Sequence, residues 1–391
     1  MMTTDGLPYW RLSGFYFLFF LTLGAFMPYW SPYLKSLGMN AEEIGILSAI
    51  IVFNKIFSSF IWGWIVDHTG KRIQMIRMTS LLSVVSFVFV LLYQDFWPLF
   101  IILFIFSIFW SAALPQIEAI TLSHLGEKSD SYTKVRLWGS VGFIISVVLL
   151  GKLFEQKPIF CLVPVVIFSM ALVWLNSLSI PEIKTKLYQP VKTTFKSVLL
   201  KPHVISLLVV CFLVQAGHGP YYTFFSIYLE EHNYSSSFIG VAWAVGVIAE
   251  VLVYIFIHRV ISRFQLRWLM MLTLILGTIR WLSTAYFVDN LLILIFTQCL
   301  HAATFGVYHA VAIQYIHREF KGEHQGRGQA LYSSVSFGAG LAFGTLISGY
   351  LWESLGSMEI FLFSALMSAS ALVVAFIWLR NPIGFKEKIS Y

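Results

Sequence analysis

A small set of ionisable residues lies inside long apolar runs of this 391-residue chain. These are Lys55, Glu118, Glu250 and Arg280, with Arg136 at the edge of a run and the imidazoles of His218, His301 and His309. A charge left facing hydrocarbon costs roughly 2.5–3.5 kcal/mol, and several such costs rival a domain stability of about 5–15 kcal/mol. These groups must therefore face a protein interior or a wet cavity and offset one another. The central Lys55, Glu118, Glu250 and Arg280 sum to zero formal charge. The chemistry open to them is ion pairing, proton carriage and attraction of a charged ligand. Interhelical ion pairing accounts for any one of them, but the whole set points to a functional cavity. His301 and His309 are about 80° apart around a helix and line one broad face. Gln215, His218 and Tyr222 follow i, i+3, i+7 spacing and form a polar stripe, read as substrate contact rather than interhelical glue. Tyr29-Trp30 and Tyr221-Tyr222 offer ring faces, although aromatics also anchor helices at membrane interfaces. No metal-ligand spacing, nucleophile elbow or phosphate-binding glycine loop is present in the sequence. The expectation is a protein without cofactor or metal that is not an enzyme.

The elements that position these residues follow from composition. The chain is 58% hydrophobic and 12% charged, where soluble domains run nearer 45–50% and about 25%. That excludes a nucleic-acid binder, a secreted disulfide scaffold and a disordered chain, and leaves an integral membrane protein. Cys161, Cys211 and Cys299 sit in apolar runs and imply no disulfide framework. Apolar stretches of about 20 residues, enough for one bilayer crossing, fall near 11–34, 44–66, 75–93, 98–122, 136–154, 159–178, 204–229, 237–258, 268–287, 291–316, 328–352 and 359–379. These twelve runs are continuous rather than alternating, so helices are expected instead of a barrel. The first is too long for a signal peptide and is read as a retained span. With the N-terminus inside, 21 of the 26 Lys and Arg fall in cytosolic segments and three, Lys35, Lys152 and Lys157, fall outside. The positive-inside rule then places both termini in the cytosol, and the net charge of +7 reflects topology rather than an acidic partner.

The longest inner loop, 179–203, divides the chain into an N-terminal six-helix bundle at 1–178 and a C-terminal bundle at 204–379, followed by a tail at 380–391. The halves repeat weakly at an offset of 195: Gly24/Gly219, Ser31/Ser226, Tyr33/Tyr228, Leu34/Leu229, Ile44/Ile239 and Gly45/Gly240. The same offset sets Lys55 opposite Glu250. Two such halves place a substrate site between them near the bilayer midplane. Gly340 and Gly344 have the Gly-x-x-x-Gly spacing of close helix packing.

The loop Gly63-Trp-Ile-Val-Asp67-His-Thr-Gly70-Lys71-Arg72 resembles the signature loop of the major facilitator superfamily, with His68 where a basic residue is usual. The resemblance implies a gate latch in which Asp67 holds the start of a neighbouring helix while Lys71 and Arg72 stay cytosolic. Over nearly its whole length the chain resembles the oligosaccharide:proton symporter branch, and more closely the 3-phenylpropionate permease group. Pro115-Gln-Ile-Glu118 and Arg136-Leu-Trp-Gly are similar to the sugar-binding stretches of lactose permeases. Ala249-Glu250, Ile279-Arg280-Trp and Leu300-His301 resemble the residues on spans eight to ten that couple binding to proton movement. Thr304 stands where those permeases carry a proton-binding Glu, and Lys55 has its familiar counterpart in the phenylpropionate group.

The resulting expectation is a monomeric carrier of the cell inner (plasma) membrane that takes up a small, aromatic carboxylate with protons by alternating access. Lys55 and Arg136 would attract the carboxylate, Glu118 orient it, and Tyr222 with Trp138 contact its ring. Glu250 would carry the proton under the influence of Arg280, with His301 or His309 as the alternative carrier. The rivals are a symporter of neutral oligosaccharides or nucleosides and a non-transporting membrane sensor; a membrane-embedded enzyme ranks last.

Overall fold

The structure is a computed structural model that describes residues 8–126, 132–182, 195–321 and 324–381. Lys128, Lys184, Lys186, Lys192, Lys386 and Lys388, with residues 183–194 of the central loop and 382–391 of the tail, lie outside the described residues. Among the described residues, twelve helices are long and apolar enough to cross a bilayer: α1 Tyr9–Ser36, α2 Ala41–Val66, α3 Arg72–Leu91, α4 Phe96–Leu125, α5 Tyr132–Gln156, α6 Ile159–Ser179, α7 Pro202–Glu231, α8 Ser236–Arg263, α9 Leu266–Tyr286, α10 Leu291–Glu319, α11 His324–Ser354 and α12 Glu359–Trp378. They match the apolar runs read from the sequence to within a few residues. Large apolar side chains such as Leu149, Phe168, Leu252, Trp268, Leu292 and Phe376 point outward from the helices. Such a surface is unfavourable in water and matched to hydrocarbon.

Local sequence explains the ends and breaks. Asn40 caps α2 through a reciprocal pair: it accepts from the Glu43 N–H at 2.8 Å, and Glu43 accepts from the Asn40 N–H at 3.0 Å. Asn290 caps α10 by accepting from the Leu292 and Ile293 N–H groups. Helix α2 breaks at Asn54, immediately before Lys55, and resumes to Thr69. Asn54 ties the break to α4 by donating to the Phe104 carbonyl at 3.0 Å and to Ser107 Oγ at 2.7 Å. Gly70 ends this helix in the left-handed region at φ +65° and donates to the Val66 carbonyl. Helices α10 and α11 each contain one wider π turn, Ala302–Val307 and Ser334–Gly340.

Chain contacts divide the protein into two compact units. The first comprises Met1–Leu187, Tyr222–Ala244 and Thr345–Glu353; the second comprises Tyr188–Tyr221, Val245–Gly344 and Ser354–Tyr391. The first unit thus includes one end each of α7, α8 and α11 beside the first six helices. Each unit has a close crossing built on glycines. In the first, a Cβ on Gly24 would lie 2.8 Å from the Phe143 carbonyl oxygen, and one on Gly142 would collide with that of Phe17, so α1 and α5 nearly touch. In the second, a Cβ on Gly340 would lie 2.5 Å from the Phe212 carbonyl oxygen, and one on Gly344 would collide with that of Ala216. The Gly-x-x-x-Gly spacing therefore serves packing of α11 on α7. In both units an arginine at the start of one helix caps the carbonyl end of another. Arg77 of α3 donates to the Ser177, Leu178 and Ile180 carbonyls beside α6, and Arg267 of α9 donates to the Phe376 carbonyl of α12 at 2.6 Å.

Candidate functional site

The second unit gathers Glu250, Arg280 and His301 around a guanidinium that is 0% exposed. Arg280 Nε donates to the Thr297 carbonyl at 3.0 Å and Nη1 to Thr304 Oγ1 at 2.9 Å. Nη1 also lies 3.2 Å from His301 Nδ1. The guanidinium carbon sits 4.5 Å from the Tyr221 ring centre and 4.2 Å from that of Trp281, which adds cation–π attraction. Arginine has donors only, so His301 Nδ1 accepts. A neutral His301 then carries its proton on Nε2, the nitrogen 3.8 Å from Glu250 Oε2. Protonating Nδ1 would set two donors against each other. In this arrangement His301 lies between the Arg280 guanidinium and the Glu250 carboxylate.

Helix α10 is shaped for this contact. His301 and Thr304 lie one turn apart and both face Arg280. Gly306 leaves the space that Glu250 fills: a Cβ there would be 3.1 Å from Glu250 Cγ. The π turn also alters the relation of His301 to His309, because the wider turn brings residues four apart nearly into register. The Phe305 ring stacks parallel to His301 at 5.3 Å and to His309 at 6.1 Å. The two imidazoles thus share one aromatic column, closer in register than the 80° of a straight helix. His309 Nδ1 meets the Tyr332 hydroxyl at 2.8 Å.

The expected stripe on α7 divides between the units. His218 packs edge-on to Trp281 at 5.2 Å, and its Nδ1 meets the Val214 carbonyl at 2.8 Å. His218, Trp281 and Thr304 share the wall of a small cavity. Gln215 is fully buried, and neither amide atom has a hydrogen-bond partner among the described residues. Tyr222 belongs to the first unit, where its ring stacks on Trp243 at 6.3 Å.

The first unit holds the second cluster. Glu118 interacts with Arg136 and with the Tyr132 hydroxyl. The Arg136 guanidinium lies 3.9 Å from the Phe20 ring centre and 5.7 Å from that of Tyr16, and Tyr16 donates to Thr121 Oγ1 at 3.3 Å. Lys55 is half-buried and forms no hydrogen bond or ion pair among the described residues. Trp138 donates from its indole to the Tyr9 hydroxyl at 3.1 Å and packs against Trp10. That places it beside the first turn of α1. Gly63 is half-buried within α2, Gly70 closes that helix, and Lys71 and Arg72 open α3. The Asp67 side chain lies outside the described residues.

Sequence reasoning missed several members of these clusters: Thr297, Gln298, Tyr16, Phe20 and Tyr132. Gln298 accepts from the Tyr221 hydroxyl at 3.0 Å. A buried amide in an apolar run was the legible signal for it. Tyrosine and phenylalanine in an apolar run carry no such signal.

Spanning helices with paired charges between them define a membrane transport protein. The chain belongs to the MFS_1 like family, whose family model matches residues 9–363. It is 31% identical over 357 residues to the "Probable 3-phenylpropionic acid transporter" of Escherichia coli (strain K12), covering 89% of this chain and 92% of that one. It is 28% identical over 381 residues to the "Maltose permease" of Geobacillus stearothermophilus, covering 96% and 95%. Among solved structures, the nucleoside transporter NupG superposes with a TM-score of 0.80 at 17% identity, over 94% of this chain and 97% of that chain. This protein is therefore a multi-pass membrane transporter of major facilitator type, and its relatives are transporters rather than enzymes.

Proposed function

We propose that this protein takes up a small aromatic carboxylate with protons, by alternating access between the bundles 1–178 and 204–379. The observation that carries the reading is a charge imbalance. In the second unit Glu250 offsets Arg280, whereas in the first Glu118 offsets Arg136 and Lys55 has no counter-charge among the described residues. One positive charge remains, and a carboxylate substrate neutralises it at lower cost than lipid or a buried void. The relative described as a 3-phenylpropionic acid transporter supports an arylalkanoate. Tyr222 and Trp243, stacked in the first unit with Lys55, offer ring faces to the substrate. In this scheme Glu250 binds the proton, and movement of Arg280 away from His301 and toward Glu250 releases it.

The test is external pH in lightly buffered, de-energised cells given 3-phenylpropionate and then sugars and nucleosides. Alkalinisation with the carboxylate that is lost in Glu250→Gln is the expected result. Alkalinisation with a sugar or nucleoside instead would overturn the substrate class, and an undiminished signal in Glu250→Gln would overturn the carrier. The Glu118–Arg136 pair and the similarity to the maltose permease favour a neutral hydroxylated substrate as the second reading.

A further inference from the structure

At the membrane face where α2 and α8 begin, α2 crosses α11 and α5 crosses α8, all within the first compact unit. The two crossings are built alike. On one side stand Asn40, Ala41 and Gly45, and 195 residues later Ser235, Ser236 and Gly240. Facing them are Thr345, Gly349 and Glu353 on α11 and Val147, Gly151 and Glu155 on α5, each set spaced by four residues. The glycines bring the helices to backbone distance. A Cβ on Gly349 would lie 2.6 Å from the Ala41 carbonyl oxygen and one on Gly45 would lie 3.1 Å from Gly349 Cα. Likewise a Cβ on Gly151 would lie 2.6 Å from the Ser236 carbonyl oxygen, and one on Gly240 would collide with that of Val147.

At the rim of each crossing a glutamate from one helix accepts from the first-turn amides of the other. The Ala41 N–H donates to Glu353 Oε1 at 2.7 Å, and the Ser237 N–H to Glu155 Oε1 at 3.4 Å. Neither helix needs this partner in order to begin. Asn40 already caps α2 through Glu43, and Ser235 Oγ accepts from the Phe238 N–H of α8 at 3.2 Å. The glutamates meet amides that water would serve equally well if the helices parted. Both carboxylates are exposed, so each bond is screened and weak. Their charge suits the positive end of a helix dipole. A weak bond made in one arrangement and replaced by water in the other is a releasable clasp rather than a brace.

We propose that Glu155 and Glu353 are positioning residues for transport, a two-fold-related pair of clasps that favours the state closed at this face. The inference does not depend on the cargo or on proton coupling. It is tested with Cys161 and Cys299 replaced by Ser, the buried Cys211 kept as a folding control, and Thr345→Cys as reporter. Thr345 is 2% exposed, and its carbonyl would lie 3.2 Å from a Cβ on Gly45. A membrane-impermeant maleimide is applied to this face in sealed vesicles. Adding Glu155→Gln and Glu353→Gln is expected to speed reporter labelling roughly fivefold or more, since each lost clasp shifts the open population by a factor of a few. Cys211 is expected to stay unlabelled. In a second protein, oxidation of a Glu155→Cys/Ser237→Cys pair is expected to suppress labelling at Thr345→Cys on the other crossing, with recovery on reduction. Unchanged labelling in the Gln variant overturns the proposal. If Cys211 labels as well, the disulfide arm decides: a pair that does not form, or forms without suppressing labelling, overturns it.

Discussion

Arg280 is fully buried in a span and bonds to one backbone carbonyl, one hydroxyl and one imidazole. That arrangement fixes the His301 tautomer and singles out Glu250. Gly306 is the residue that lets Glu250 approach α10. In Gly306→Ala the added methyl would press on Glu250 Cγ from 3.1 Å, an overpacking cost of about 1–3 kcal/mol. Proton-driven accumulation is expected to fall more than exchange of labelled for unlabelled substrate, because exchange needs no proton release. Equal losses in the two assays would show that Gly306 serves packing alone. Lys55 carries the substrate-charge argument. Lys55→Gln is expected to weaken uptake of the carboxylate by about tenfold or more, while Lys55→Arg keeps part of it. Uptake measured against concentration checks this, and an unchanged KM in Lys55→Gln would remove the carboxylate from that site.

At the element scale, most of the span pattern was legible because a bilayer crossing demands a run of apolar residues, and the polar breaks between runs are short. The break of α2 at Asn54 and the π turns of α10 and α11 were not legible. The break at Asn54 is tied to the Phe104 carbonyl and the Ser107 hydroxyl of α4, partners that no local pattern names. The Gly340/Gly344 spacing was read as packing, and the structure supplies its partner, the carbonyl edge of α7. Gly344→Val is expected to destabilise the protein by about 1–3 kcal/mol or more, read as a lower melting temperature in detergent. Gly326, in the first turns of α11 with open space where a Cβ would go, is the control: Gly326→Ala is expected to leave melting unchanged or slightly raised. Equal melting of the two variants would mean that the α7–α11 crossing yields without strain.

At the scale of the whole molecule, the Lys and Arg distribution predicts both termini in the cytosol. Cysteines placed near residues 5 and 385 are expected to resist an impermeant thiol reagent in intact cells and to react after permeabilisation; reaction in intact cells would reverse the topology. The two contact-defined units do not follow chain order, because one end each of α7, α8 and α11 groups with the first six helices. Chain order gives the repeat, and packing at one face joins segments from both halves of the chain.

The sequence by itself determined the membrane class, the number of crossings, the weak two-fold repeat and the identity of most buried charges. It could do so because hydrocarbon penalises polar groups wherever they fall, and that penalty is written residue by residue. Only the tertiary structure decided the pairing. It placed Arg280 on His301 and Thr304, left Lys55 without a counter-charge among the described residues, set Trp138 beside Tyr9, and brought Glu155 and Glu353 to the amides of helices far away in the chain. Pairing is a matter of a few ångströms between helices, set by glycine crossings, helix breaks and π turns. None of these has a signature in the residue it positions.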